Sequence, residues 1–400
     1  MKSHFIILLI FLIALSVRLI FFLIYPDQKL PDSLTYELLG YKFFEPNFEG
    51  PDPVYIFQSD GHMPLYSILC YLLGGRINLI IFDIFISSLS ILPIYFLSKQ
   101  LFNDRYIGFL SALIFSLYPF SIFYSLSGMT ETIFVFLIIS FFYFLYKGKL
   151  ILSSILLVIS IYLRPSIEMF YPLIIFSFFL FVKKNNLISC FLKVSVYLGV
   201  YVVLMLPWWI HNYIKYDTFV RTNLAMGEIL YIGNNPLNKS GGGISDIDFS
   251  LRDFEYEDGQ SLYSDPIVRD NVLKNAAIQF ILNNPENFIK LSIIKFKRFW
   301  QLYPYAEEYS SNLYKFVSII TLLPLYILSI LFIFSNRHLL YFFIPIILFI
   351  LLLNFVHAIS ISSIRYRFPI EPFLIIFSSS YIFYKFNRLK LYLTKYFEST

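Results

Sequence analysis

The sequence predicts an all-α polytopic membrane protein with about ten transmembrane helices. Hydrophobic residues make up 58% of the chain and charged residues 14%, whereas an ordinary soluble domain carries about 25% charged residues. Apolar runs of the length that crosses a bilayer as a helix recur along the chain. The short connectors between them are basic on one face only, which is typical of the cytoplasmic side. A soluble globular protein is therefore excluded.

Ten apolar segments are the candidate spans. The first is not a cleavable signal peptide, because its apolar run is too long and no small-residue cleavage site follows it. The fifth is short for a bilayer and is the weakest of the set. In chain order the segments are 5–25, 77–97, 107–124, 131–146, 150–163, 167–182, 187–210, 314–335, 339–356 and 368–384.

The distribution of charge sets the orientation. A cytoplasmic N-terminus puts every short basic connector, and the basic C-terminal tail, on the cytoplasmic face of the plasma (inner) membrane. The first opposite-face loop, 26–76, has seven acidic and three basic residues, a net charge of −4. The second, 211–313, has thirteen acidic and ten basic residues, a net charge of −3. Functional residues are therefore expected on the non-cytoplasmic face.

These loops divide the chain into three parts. The first is an N-terminal transmembrane module, 1–210, which includes the loop 26–76. The second is the large external loop, 211–313, and the third is a C-terminal transmembrane module with its cytoplasmic tail, 314–400. Cys70 and Cys190 fall at opposite membrane faces, so neither a disulfide nor a cysteine-based metal site is expected.

The large external loop has helices of its own. An apolar stripe predicts one helix over 266–284, and a proline at its first turn begins a second over 285–301. Apolar residues alternate with Lys295 and other cations along the second helix, which is typical of an interfacial helix lying on the membrane. Two interpretations stay open for those cations: solvated or snorkelling groups, or a specific anion-binding role.

Two classes of motif are missing from the sequence. No P-loop and no GxGxxG would bind a nucleotide, and no inverted repeat of the kind found in secondary transporters is present. No nucleic-acid partner is expected. Any energy-rich donor must therefore arrive in the membrane.

Several short motifs resemble one enzyme family. The chain carries, in this order, PDSLTYELL, GHMPLYSILCYLL, YPFSIFYSLSGMTETIF, LRPS, PWWIHNYIKYDTFV, GNNP, NNPENFIKLSIIKFKRFW and RYRFPIEPF. From about Phe5 to Tyr384 they resemble the polytopic glycosyltransferases of the GT-C fold. The nearest group is family 39, the protein-mannosyltransferase-like proteins, which includes the lipid A aminoarabinose transferase. That family's usual Arg-Asn after the Pro-Trp pair is His211-Asn212 here, so a contact by that arginine is not expected.

The resemblance implies an inverting glycosyltransferase. Such enzymes move a sugar from a polyprenyl-phosphate-linked donor to an acceptor hydroxyl or amine on the non-cytoplasmic face, and the acceptor is a lipid, a glycan or a protein. Membrane lipids are further partners. No cofactor and no metal site is expected; the acidic loops could hold a divalent cation, but the resemblance does not indicate an obligatory one.

Two carboxylates match the acidic positions of the family. Asp32 stands at the start of the first external loop, where a carboxylate in a partly dry pocket suits a general base; the alternative is a helix N-cap. Glu131 opens the fourth span, where it would orient the acceptor or assist Asp32. The alternative for Glu131 is favourable interaction with the helix dipole.

Two arginines stand outside the last span, against the positive-inside trend. Arg365 and Arg367 suit a donor phosphate, because the planar guanidinium binds phosphate through two hydrogen bonds. The alternative is pairing with the acidic loops. Arg365 is favoured of the two because it matches the family's first arginine.

Four further residues have supporting roles or structural alternatives. Arg18 and Asp83 lie at similar depth in the first two spans, which predicts an ion pair; the alternative is Arg18 facing a groove for the lipid phosphate. Tyr36 could stack on a sugar, although loop packing is the simpler interpretation, and Lys295 could contact an anion. A transporter or flippase of lipid-linked glycans, or a glycan polymerase or ligase, is the rival function.

Overall fold

The computed structural model describes residues 2–26, 31–45, 61–243, 265–304 and 311–398. Within these ranges the regular structure is helical, and no β-strand occurs among them. The prediction of an all-α protein is confirmed for the part of the chain that is described.

The N-terminal module is a succession of helices joined by short turns. Pro26 follows the first helix closely, and Gly148 turns the chain between the eighth and ninth with φ of 77°, a conformation that suits glycine. The helices are α1 (Lys2–Ile24), α2 (Pro31–Phe44), α3 (Leu65–Leu72), α4 (Arg76–Leu89), α5 (Ile91–Phe102), α6 (Arg105–Ser116), α7 (Pro119–Ser125), α8 (Glu131–Tyr146), α9 (Leu150–Ile161), α10 (Tyr171–Ser177) and α11 (Leu187–Tyr216).

The remaining helices belong to the large external loop and the C-terminal module. Helix α13 packs against α12, and α14 packs against α16. They are α12 (Met226–Gly233), α13 (Pro266–Asn283), α14 (Pro285–Phe299), α15 (Asn312–Ser335), α16 (Leu340–Ile359), the short α17 (Ile364–Arg367) and α18 (Glu371–Glu398).

In the part of the chain that the structure describes, five helices are long and apolar enough to cross a membrane, and a sixth span results if the bent pair α6–α7 is counted as one. The two members of that pair meet at 56°. The five are Ser3–Ile24, Arg76–Phe102, Leu187–Tyr216, Asn312–Ser335 and Arg337–Ile359. The predicted segments 131–146, 150–163 and 167–182 are helical but shorter than the roughly 20 residues that a span needs. Lengths alone therefore give five or six spans rather than ten.

The interior of the bundle contains many aromatic side chains among its aliphatic ones. Helix α8 contributes four of the buried rings, and it is buried on nearly all sides between α5 and α9. Phe142 contacts Phe349 and Phe373 edge to face, with ring centres 5.6 and 5.0 Å apart. Such contacts stabilise beyond the area they bury. The core thereby ties α8 to the C-terminal helices.

The two predicted helices of the external loop are present as α13 and α14. The side of α14 that faces the protein differs from the prediction, however. Lys295 and Arg298 lie on its buried face, whereas Ile289, Ile293 and Phe296 are exposed. Two of the four cations of this helix, Lys295 and Arg298, are therefore inside the protein, whereas Lys290 and Lys297 are exposed.

Glycine 227 allows the closest approach between α12 and α13. A Cβ added there would lie 1.9 Å from the Asp270 carbonyl oxygen, so Gly227→Ala must separate the two helices. We expect it to destabilise the protein by roughly 1–3 kcal/mol, the usual cost of overpacking. Gly199 is the matched control, because a Cβ there meets no atom within 4 Å, and Gly199→Ala in mid-helix should stabilise by about 0.5–1 kcal/mol. Denaturation in detergent measures both, and equal effects would contradict the proposed contact.

Candidate active site

Asp32 lies in the first turn of α2, which begins at Pro31. It is the second residue of the helix, so it does not occupy the N-cap position that the sequence left open. Its Oδ2 atom instead accepts a hydrogen bond from Arg365 Nη1 at 2.5 Å. The Asp32 side chain keeps 40% of its surface exposed, so it remains accessible to a second molecule.

Arg365 joins Asp32 to the second predicted carboxylate. Its Nε atom donates to Glu131 Oε1, and Glu131 is fully buried at the start of α8. Helix α17 presents Arg365 from a capped start, because the Ser363 hydroxyl accepts from the Arg365 backbone N–H at 3.1 Å. Three residues predicted from separate parts of the sequence thus lie in one cluster.

Arg164 completes this cluster, and sequence reasoning did not single it out. Its Nη1 atom donates to Glu131 Oε1 at 2.6 Å, and its guanidinium lies 5.3 Å from the Tyr366 ring centre. The signal that could have found it is an arginine in LRPS at the outer end of an apolar segment, where charge needs a partner. We call Asp32, Glu131, Arg164 and Arg365 the carboxylate–arginine cluster.

The electrostatics of this cluster are balanced. Two carboxylates face two guanidinium groups, and burial of paired charges is tolerated where each ion keeps hydrogen bonds. Burial alone would raise the pKa of Asp32, but the charge of Arg365 outweighs it and lowers the pKa below the ordinary value. Glu131 Oε2 is buried and accepts no hydrogen bond from a described residue. The cluster therefore holds Asp32 ionised and keeps one buried oxygen of Glu131 without a donor among the described residues.

Aromatic rings continue from the cluster toward α4. The Tyr36 ring contacts those of His62 and Tyr66, with centres 5.0 and 4.9 Å apart, and Tyr66 donates to Asp83 Oδ2 at 2.5 Å. Burial raises the pKa of Tyr36 to about 12. Burial also lowers the pKa of His62, against the opposing charge of Asp32. Tyr36 is thus packed beneath the site and is 5% exposed.

A cavity of about 180 Å³ lies between α2, α3 and the end of α11, and the four residues of the cluster are not in its lining. His62 lines it and interacts electrostatically with Asp32. The wall opposite is a stack of rings, with His211 5.1 Å from Trp208 and 5.3 Å from Phe43 between ring centres. Drug-sized ligands occupy about 300–1,000 Å³, so this space suits a single small ring.

Arg367 does not belong to the cluster. Its side chain is fully buried, with Nε bonded to Glu371 Oε1 at 2.7 Å. Its Nη1 atom donates to the carbonyls of Phe299 and Gln301 at 3.0 and 2.6 Å. These carbonyls stand at the end of α14, where helices lack internal donors. Arg367 is therefore held as a helix cap, and we do not retain it as a phosphate ligand.

Arg18 and Asp83 do not form the predicted ion pair. Arg18 is fully buried and donates to the hydroxyls of Ser87 and Ser121 and to the carbonyls of Ala14 and Ser116. The Ser116 carbonyl is the last of α6 and needs an outside donor. Because Arg18 has these neutral partners, it faces neither Asp83 nor a lipid groove.

The PWWIHN residues bind the backbone that follows them. Trp208 and Trp209 donate their indole N–H groups to the carbonyls of Thr222 and Arg221 at 2.6 and 2.8 Å. Asn212 donates to the Val220 carbonyl at 3.1 Å. This motif therefore shapes the rim of the cavity.

Two further questions about the site are whether it could hold a metal ion and whether known proteins resemble it. Within the described ranges, no group of three or more His, Cys, Asp or Glu side chains is arranged to hold a metal ion. Comparisons with protein-family models, with curated proteins and with solved structures give no match. The family resemblance of the motifs therefore stays a prediction.

Proposed function

We propose that the chain is an inverting glycosyltransferase of the GT-C fold that takes its sugar from a polyprenyl-phosphate-linked donor. The observation that carries the proposal is the carboxylate–arginine cluster: a half-exposed Asp32 shares one guanidinium with a buried Glu131, and His62, which lines a small aromatic cavity, interacts with Asp32. Membrane-spanning helices of the same chain would let a lipid-linked donor reach it laterally. The ten-span arrangement belongs to this proposal, with α8, α9, α10 and α18 as the further spans.

The reaction needs a general base for the acceptor and a positive charge that stabilises the departing phosphate. Asp32 accepts the proton of the acceptor hydroxyl, the acceptor oxygen attacks the anomeric carbon, and the bond from that carbon to the phosphate oxygen breaks. Polyprenyl phosphate departs with the bonding electrons, and a guanidinium stabilises its growing charge.

Arg365 would connect these two events. While it is bonded to Asp32, the carboxylate is a weak base because its pKa is lowered. A donor phosphate that draws Arg365 toward itself would release the carboxylate, and loss of the guanidinium would raise the pKa of Asp32. Donor binding would thereby activate the base.

The rival function, a flippase, would place charges along a path through the membrane. The intramembrane Arg18 is instead locked by four hydrogen bonds to neutral oxygens. This favours the enzyme.

Mass spectrometry of lipid extracted from the purified protein tests the choice, and we expect a polyprenyl phosphate that carries one sugar. When that lipid is supplied to the protein in vesicles, we expect free polyprenyl phosphate to be released. Translocation of that lipid without cleavage would instead support the flippase.

The orientation of the chain gives a separate test. In a background lacking Cys70 and Cys190, we expect Lys239→Cys to react with a membrane-impermeant thiol reagent from outside the cell. Lys147→Cys should react only after the membrane is opened. Both lysines are exposed, so neither result depends on burial. The reverse pattern would place the carboxylate–arginine cluster on the cytoplasmic side.

A further inference from the structure

Lys295 is a buried cation with no carboxylate partner among the described residues. Its side chain is 0% exposed, and its Nζ atom donates to Asn234 Oδ1 at 2.9 Å and to the Ile359 carbonyl at 3.0 Å. An unpaired buried ammonium group is costly. Its position therefore calls for an explanation beyond packing.

The two partners of Lys295 lie on different elements. Asn234 follows α12, and its own Nδ2 atom also donates to the Ile359 carbonyl, at 2.9 Å. Ile359 ends α16 and begins the segment 359–362, which leads directly into α17. Lys295 therefore joins the external loop to the chain that enters the carboxylate–arginine cluster.

The rest of the segment 359–362 is held by the same external elements. Arg298, one turn beyond Lys295, donates to the Ser362 carbonyl at 2.8 Å, and the Ser362 N–H donates to the Gly241 carbonyl at 3.1 Å. At Gly233 an added Cβ would lie 2.0 Å from the Ser360 carbonyl oxygen. Hydrogen bonds and a close contact therefore hold the segment at Ile359, Ser360 and Ser362. The segment ends three residues before Arg365.

We propose that Lys295 is the positioning residue of Arg365: it fixes the segment 359–362 to the end of α12 and thereby sets where α17 presents the guanidinium. Its consequence for catalysis rests on the proposed function. Arg365 bonds Glu131 through Nε and Asp32 through Nη1. A shift of α17 by about the length of a hydrogen bond would break both contacts. Lys295 thus acts through Arg365 and touches no substrate.

This arrangement makes the segment sensitive to pH. Burial lowers the pKa of Lys295 to about 7, and charged and titratable groups on α14, α16 and α12 have other partners. Arg298 bonds Ser362, His357 Nδ1 bonds the Ile361 carbonyl, and Glu228 interacts with Arg269. Between pH 7 and about 10.5 the unfolded chain binds the proton that the folded chain lacks, so the stability from this site rises with pH across that window. It is lowest below pH 7.

Amide hydrogen exchange of the peptide covering 359–365 tests the proposal in the full-length protein. Lys295→Met removes two hydrogen bonds, and we expect exchange to become about 10- to 30-fold faster. The control is Lys290→Met, because Lys290 is exposed on the same helix and paired with Glu286; it should leave exchange unchanged. Wild-type exchange, corrected for its intrinsic pH dependence, should slow as the pH rises through 7, and Lys295→Met should abolish that change.

The outcomes separate this inference from the proposed function. Equal exchange and an equal pH profile in wild type and Lys295→Met would overturn the positioning role, even if sugar transfer is observed. Faster exchange in a protein that cleaves no polyprenyl-phosphate sugar would uphold the positioning role and reject the transferase. If Lys295→Met does not fold, Asn234→Ala decides, because it removes the other side chain that bonds the Ile359 carbonyl; unchanged exchange over 359–365 in that variant would overturn the inference.

Discussion

Asp32→Asn should leave the protein folded and slow sugar transfer by about 10²–10⁴-fold, the usual range for a lost general base. The amide is nearly the same size as the carboxylate and still offers Arg365 a carbonyl oxygen, so α2 keeps its contact with α17. Donor binding should not weaken, because a neutral amide holds Arg365 less tightly than the carboxylate does and so leaves it freer for the donor phosphate. Initial rates in vesicles with saturating donor measure the effect.

A matched control uses the second acid of the same region. Glu37 accepts a hydrogen bond from the Arg76 backbone N–H at 3.0 Å and lies five residues further along α2. Glu37→Gln should keep the transfer rate within a few fold of wild type. Wild-type turnover by a folded Asp32→Asn would remove Asp32 from the mechanism and leave it as a partner of Arg365 only.

Arg365→Ala should destabilise the protein strongly as well as stop transfer. Removing one member of a buried ion pair leaves the other charge without compensation, which costs about 3–5 kcal/mol. We expect the low end, about 3 kcal/mol, because Glu131 keeps its hydrogen bond from Arg164. The denaturation midpoint of the purified protein measures the change. Arg105→Ala, at an exposed position near the start of α6, is the control and should shift stability by less than about 0.5 kcal/mol.

The two readouts of Arg365→Ala test different statements. Loss of stability tests the pairing with Glu131 and Asp32, and loss of donor binding tests the phosphate role. Arg365→Lys should recover part of each, since a point charge replaces a planar fork. A variant with wild-type stability would contradict the pairing, whereas an unstable variant with full transfer per folded molecule would contradict the phosphate role.

The sequence predicts most of the helices and the proximity of three site residues. Apolar run length and basic connectors suffice for the helical segments, since both follow from membrane insertion. Asp32, Glu131 and Arg365 each stand near one end of an apolar segment, and charges there need partners. Shared depth makes their proximity predictable, but their contact also depends on which way each helix is turned.

Rotation about a helix axis is what the sequence does not specify. Arg18 and Asp83 share a depth, yet Arg18 turns toward the open end of α6. On α14, Ile293 and Leu291 are equally apolar, although Leu291 is buried and Ile293 is exposed. When one face meets protein and the other can meet lipid, hydrophobicity does not distinguish the inner face, so the position of Lys295 could not be predicted.

The long sequence separations within the carboxylate–arginine cluster have a consequence for biosynthesis. Arg365 is 333 residues from Asp32 and 234 from Glu131, so both carboxylates are synthesised long before their shared partner. Until Arg365 is made, Arg164 is the only arginine of the cluster with which Glu131 can pair, and Asp32 lacks its partner. The site is therefore completed late, when α17 takes its place. A nascent chain stopped before Arg365 would contain both carboxylates of the cluster but only one of its two arginines.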